Sequence, residues 1–321
     1  MPESNRQQSD DSEDQWGVAF RVAIALIISF VVIAVVSIIA AFCWLFLVRA
    51  LQSPVSADNS SLRQLLLTIL YVLPDCALFM LAGYFTAGLD LKKAFIEDLG
   101  LKVDTKAVRS LALGLIIGLG SAAILNLAYL LTGQAMADTR SAQSLWLDIS
   151  HAAPTLLVEL FLILASSIAY ETYFHGYVQR TLTNRYASFW GIATASVLCG
   201  LFALFPGPRT LSLSFVVLIF FYTISGYLYY MTRSLFLTIG FVFSHNFINS
   251  ALNSTVILLF NLGSPDHSVN PDLIDAIKVI VYAALLCLIY GYYQVESEKP
   301  GRAKEIFQGA LDRMTGSERR P

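Results

Sequence analysis

Charge is the scarcest property of this chain: Asp, Glu, Lys and Arg supply only 14 % of its 321 residues, against 56 % that are apolar. That balance excludes an ordinary soluble globular domain and implies a membrane protein. Basic residues form no patch outside the loops that flank apolar runs, and the formal net charge of −2 argues against a nucleic-acid partner. Cysteine is scarce as well. Cys43, Cys76, Cys199 and Cys287 lie within apolar runs at no metal-type spacing, so they imply no disulfide framework and read as small buried hydrophobes. No secretory leader is expected: the acidic residues Asp10, Asp11, Glu13 and Asp14 precede an apolar run too long for an h-region, which reads as a retained anchor.

What the chain has instead is hydrocarbon in long blocks. A helical span needs about 20 apolar residues, and such blocks run over 18–48, 62–87, 110–131, 154–182, 187–205, 211–230, 235–259 and 273–293. The expected fold is all-α, a polytopic membrane protein of about eight transmembrane helices. Residues 1–16 are polar and acidic and read as a disordered cytoplasmic tail. Residues 17–153 hold helices 1–3, with a polar linker at 53–61 and a basic amphipathic segment at 88–109 expected to lie on the membrane surface. Residues 154–260 form a core of helices 4–7, and 261–321 hold the last span and a charged cytoplasmic tail with a short amphipathic piece at 306–314. Pro74 is expected to kink the second span and Asp75 to need a partner there. Gly114 and Gly118, with Gly120, Ser121 and Ala122, suit close helix approach.

Orientation follows from basic residues in short loops. With both termini inside, the inner loops and tails hold fifteen Lys and Arg residues, and the outer loops hold only Arg49, Arg63, Arg140 and Arg209. A multi-pass protein of the cell membrane with cytoplasmic termini is expected.

Ionisable residues inside hydrocarbon cost roughly 2.5 to 3.5 kcal/mol each on insertion scales and usually mark a site. The stretch 170–180 carries Glu171 and His175, four apart and so on one face of a helix. Counting from the tight turn near Tyr186 and from the start of the seventh span brings Tyr170, Glu171 and His175 to a depth shared with Cys199 and Ala203 and with His245, Asn246 and Asn249. His245 and Asn249 are again four apart. These groups suit an intramembrane pocket, and each is equally suited to tying helices together.

The pattern over 155–259 resembles the CPBP, or Abi, family of intramembrane proteases, which includes the type II CAAX prenyl endopeptidases and bacteriocin-immunity proteins. The frame is carried by Tyr170-Glu171-Thr172-Tyr173-Phe174-His175-Gly176, by Cys199-Gly200-Leu201-Phe202-Ala203 and by His245-Asn246-Phe247-Ile248-Asn249. The resemblance implies a CPBP/CAAX-protease-like helical core and peptide-bond hydrolysis beside the membrane. It implies that a glutamate at position 170 and a histidine at 203 would activate water, and that His245 and Asn249 would support the oxyanion. In this chain Tyr170 and Ala203 stand at the water-activating positions, His175 replaces an arginine, and the third motif is intact.

Three readings follow. The first is a catalytically impaired homologue acting as a membrane-embedded scaffold for another membrane protein. The second is an active endopeptidase in which Glu171 is the base, with His175 and His245 nearby and an optional metal on those three side chains. The third is a small proton-coupled transporter using Asp75 or Glu159. The candidate catalytic residues are thus Glu171, His175, His245 and Asn249; no cofactor is expected, and the partners implied are the bilayer and another membrane protein or a membrane-tethered peptide.

Overall fold

The computed structural model describes residues 17, 19–36, 38–39, 42, 75–85, 100–134, 136–137, 142–204, 213–253, 260–261 and 270–298. The expected disordered tail, the linker at 53–61, Pro74, Cys43, the segment 88–99 and the amphipathic piece at 306–314 lie outside these. The described chain is all-helical apart from one two-residue ladder. Its helices are α1 (Ala19–Val36), α2 (Asp75–Phe85), α3 (Thr105–Leu131), α4 (Ala142–Tyr170), a π-helical segment (Glu171–Gln179), α5 (Arg180–Arg185), α6 (Ser188–Leu204), α7 (Leu213–Thr232), α8 (Leu235–Asn253) and α9 (Pro271–Glu298). Five helices are long and apolar enough to cross a membrane: α1, α3, the run ending at Arg185, α7 and α9. Three shorter apolar helices, α2, α6 and α8, fall in the remaining expected stretches.

Several boundaries differ from those read in the sequence, and the starts of α3 and α4 have visible reasons. α3 begins at Thr105, because the Asp104 carboxylate accepts from Ala107 N–H at 2.7 Å and caps the helix there. Lys106 and Arg109, assigned to the surface segment, therefore stand in the first turns of α3. α4 begins at Ala142, twelve residues before Pro154, in a stretch whose polar composition reads as a loop. Hydropathy measures what a helix can bury in lipid, and a helix that projects beyond the apolar layer does not register on it.

Connections expected on one side of the membrane meet in space. β1 (Met136–Ala137) and β2 (Phe260–Asn261) pair antiparallel, joining the connections after α3 and after α8. At the opposite end Gly100, at φ 79°, lies so close to the α7–α8 turn that a Cβ on it would stand 2.7 Å from the Arg233 carbonyl oxygen. A left-handed backbone and a close neighbour both favour glycine there.

α3 and α8 approach through bare backbone. A Cβ on Gly114 would stand 2.1 Å from Leu237 O, one on Gly118 2.4 Å from Phe241 O, and one on Gly240 2.6 Å from Leu111 O. Ser244 Oγ–H reaches across to Leu115 O at 3.0 Å. The main core lies beside this pair and includes Leu78, Tyr173, Phe174, Cys199, Ile224, Leu235 and Phe241. Cys199 is buried as expected, whereas Cys76 and Cys287 are exposed on the helix exterior. In a bilayer that exterior faces lipid as apolar as the core, so a small apolar thiol is tolerated on either side. Replacing Gly118 by Val is expected to force α3 from α8 and cost about 1–3 kcal/mol, read as a lower thermal midpoint of the detergent-solubilised protein; an unchanged midpoint would contradict this packing.

Candidate functional site

The π segment carries the first polar cluster. All nine of its residues are buried, and its i→i+5 pattern is a rare form that recurs at functional sites. Tyr173 pins it to α1, donating to Ala25 O at 3.2 Å beside the Ser29 hydroxyl. Glu171 and His175 are fully buried, with His175 Nε2 3.9 Å from Glu171 Oε2. Ser225 Oγ–H on α7 donates to Glu171 Oε2 at 2.7 Å. Gln179 Nε2–H donates to Gly226 O at 2.7 Å, which fixes the amide and leaves Gln179 Oε1 to accept from His175 Nδ1–H at 2.6 Å. His175 Nε2 is thereby turned toward Glu171. Glu171 Oε1, His175 Nε2, Thr172 Oγ1 and Tyr177 OH have no hydrogen-bond partner among the described residues. Cys199 and Tyr222 lie within electrostatic reach of each other and of Glu171.

His245 organises the second cluster. Ser121 Oγ–H donates to Gly118 O at 2.8 Å, so Ser121 Oγ accepts from His245 Nδ1–H at 2.7 Å. His245 Nε2 then accepts from Tyr282 O–H at 2.8 Å and from Asn249 Nδ2–H at 2.9 Å. Asn249 Nδ2 also donates to the His245 carbonyl at 2.9 Å. Asn126 Nδ2 donates to Asn249 Oδ1 at 3.0 Å and to Ala122 O at 2.8 Å. The imidazole packs against Phe221, 4.9 Å between centroids, and against Phe241 at 6.1 Å. α3, α8 and α9 are joined through this one ring.

The candidate residues therefore fall in two groups. Glu171 and His175 bond through α7, while His245 and Asn249 bond to α3 and α9. α7 stands between, with Phe221 against His245 and the adjoining Tyr222 and Ser225 against Glu171. Tyr170 is half-buried with its ring 5.8 Å from that of Phe174, and the Asp75 carboxyl lies within its electrostatic reach. Ala203 and Asn246 are half-buried on α6 and α8. Among the described residues no group of three His, Cys, Asp or Glu side chains is placed to hold a metal ion. Glu171, His175 and His245 do not fit as a zinc triad, because the third belongs to the other cluster.

The sequence reading omitted Ser225, Gly226 and Tyr222 from α7, Ser121 and Asn126 from α3, Gln179, and Tyr282 from α9. Intramembrane Asn126 and Gln179 carry the same signal that singled out Glu171; the hydroxyls of Ser121, Ser225 and Tyr282 carry almost none. Gly226 is required by its neighbours, since a Cβ there would stand 2.9 Å from Gln179 Oε1 and 3.1 Å from His175 Cε1. Ser225→Ala is expected to leave both Glu171 oxygens without a donor and cost about 1–2 kcal/mol; thermal melts in detergent check it, and a variant as stable as the parent would deny this bond a role.

No curated protein matches the chain. Residues 152–248, from α4 through the π segment to Ile248 on α8, match the family described as type II CAAX prenyl endopeptidase Rce1-like, so this helical segment is similar to the CPBP/CAAX proteases.

Proposed function

We propose that this chain is a CPBP-type homologue that has lost peptide hydrolysis and serves as a membrane-embedded scaffold for another membrane protein or a membrane-tethered peptide. The observation that carries this is the pair of replacements at the water-activating positions: Tyr170 and Ala203 offer no group that takes a proton from water at neutral pH. The hydrogen bonding supports it. An oxyanion site needs donors free to point at the developing charge, yet His245 spends its one N–H on Ser121 and Asn249 spends both amide hydrogens on His245. Residence in the cell membrane with cytoplasmic termini belongs to the same proposal, and the pairing of same-side connections supports that topology.

An active enzyme is favoured by one observation. Glu171 Oε1 and His175 Nε2 lack partners beside each other, an arrangement that could hold water. The two readings separate in a cleavage assay. Purified protein in detergent is expected not to cut a membrane-tethered peptide, and Tyr170→Glu combined with Ala203→His is expected to gain cleavage. Cleavage by the unmodified protein that Glu171→Ala abolishes would overturn the scaffold reading. Co-purification from native membrane is expected to recover a protein partner, and recovery of lipid alone would count against it.

A further inference from the structure

Beyond both clusters, polar groups continue from His245 toward the end of the bundle that carries the β1–β2 ladder. α9 supplies Asp275, Lys278 and Tyr282, at intervals of three and four residues and so along one helix face. Lys278 Nζ donates to Asp275 Oδ1 at 3.0 Å, and Ser214 Oγ–H on α7 donates to Asp275 Oδ2. These two side chains are 30 % and 13 % exposed, so they form the open end. Tyr129 on α3 lies within electrostatic reach of Asp275 and of Tyr282, and Lys278 within that of His245. From Asp275 to Tyr282 the helix rises about 10 Å, which spans the distance from the open end to the buried imidazole.

Two groups on this track are unaccounted for. Asn126 Oδ1 and Tyr129 OH have no hydrogen-bond partner among the described residues, although the two residues are only 3 % and 2 % exposed. A buried acceptor or hydroxyl left unmade costs about 1–3 kcal/mol, and in hydrocarbon there is no solvent to relieve it. They stand on one helix, three residues apart, and the hydroxyls and carboxylate of Tyr282 and Asp275 lie on the facing helix. A water molecule needs two to four such partners to be held in a protein interior, and this set supplies them.

We propose that a short file of water occupies a polar seam between α3, α8 and α9, entering at Asp275 and Lys278 and ending at the Tyr282 hydroxyl that His245 Nε2 holds. The ligand class is water. The seam brings water from the ladder face as far as the Tyr282 hydroxyl, and it uses residues of which Tyr129, Asn126, Asp275 and Tyr282 all lie outside the matched segment 152–248. A scaffold and an enzyme are both compatible with it, so it stands apart from the proposed function.

Cysteine accessibility tests the seam, because a thiol reacts as its thiolate and ionises in water but not in dry hydrocarbon. Asn126→Cys and Tyr129→Cys are made in the full chain, with Leu127→Cys, which is 55 % exposed on the lipid side of α3, as the dry control. Gln134→Cys marks the ladder face, since Gln134 accepts from Asn270 N–H there. Membranes are exposed from one side at a time to a trimethylammonium-bearing, impermeant methanethiosulfonate, and modification is read by mass on the peptide carrying the new cysteine. Asn126→Cys and Tyr129→Cys are expected to react from the side that modifies Gln134→Cys, more than about tenfold faster than Leu127→Cys. Because Tyr129→Cys opens space of its own, Asn126→Cys, close in size to the original side chain, decides. Failure of Asn126→Cys to exceed the lipid-facing control in a variant that melts normally, or its reaction only from the opposite side, would overturn the seam.

Discussion

The polar chemistry of this protein depends on two helices meeting backbone against backbone at their glycines. In a bilayer, lipid tails are as apolar as leucine, so helices gain little from mere apolar contact and must be held by shape and by hydrogen bonds. α3 and α8 meet that requirement with Gly114 and Gly118 on one and Gly240 on the other, each against a carbonyl of its neighbour. That contact sets the register of everything beyond it. With Gly118 on Phe241, Ser121 falls opposite His245, and Asn126 falls opposite Asn249. His245 and Asn249 are therefore oriented by a helix that the matched segment does not include.

The first motif is organised differently. Its helix passes into π geometry at Glu171, which places the carboxylate against Ser225 and the imidazole against Gln179 and Gly226. Both clusters thus use α7, and no hydrogen bond between described residues joins one directly to the other. Phe221 and the adjoining Tyr222 face the two of them, Phe221 toward His245 and Tyr222 toward Glu171.

Much of the fold was legible because hydropathy measures the very transfer that a bilayer imposes. Every described apolar helix lies in a stretch marked by composition, and Gly114 and Gly118 form the close contact their spacing suggested. The extension of α4 to Ala142 was not legible, since residues outside the apolar layer need no apolar composition. Nor was the π geometry of the marked stretch, because the residue types that make it costly in hydrocarbon do not set the i→i+5 ladder. For the site, the costly residues announced themselves and their partners did not. Glu171, His175 and His245 are expensive in hydrocarbon wherever they stand, whereas Ser121, Ser225 and Tyr282 matter only through the helix that faces them.

The ladder between Met136–Ala137 and Phe260–Asn261 looks slight, at two residues a strand. Taken with the glycine contact at mid-height and the Gly100–Arg233 contact at the far end, it is the third fastening along α3 and α8. A pair pinned at both ends and the middle behaves mechanically as a fixed post. α7 and α9 take their places from that post, through Phe221 and Tyr282 against His245.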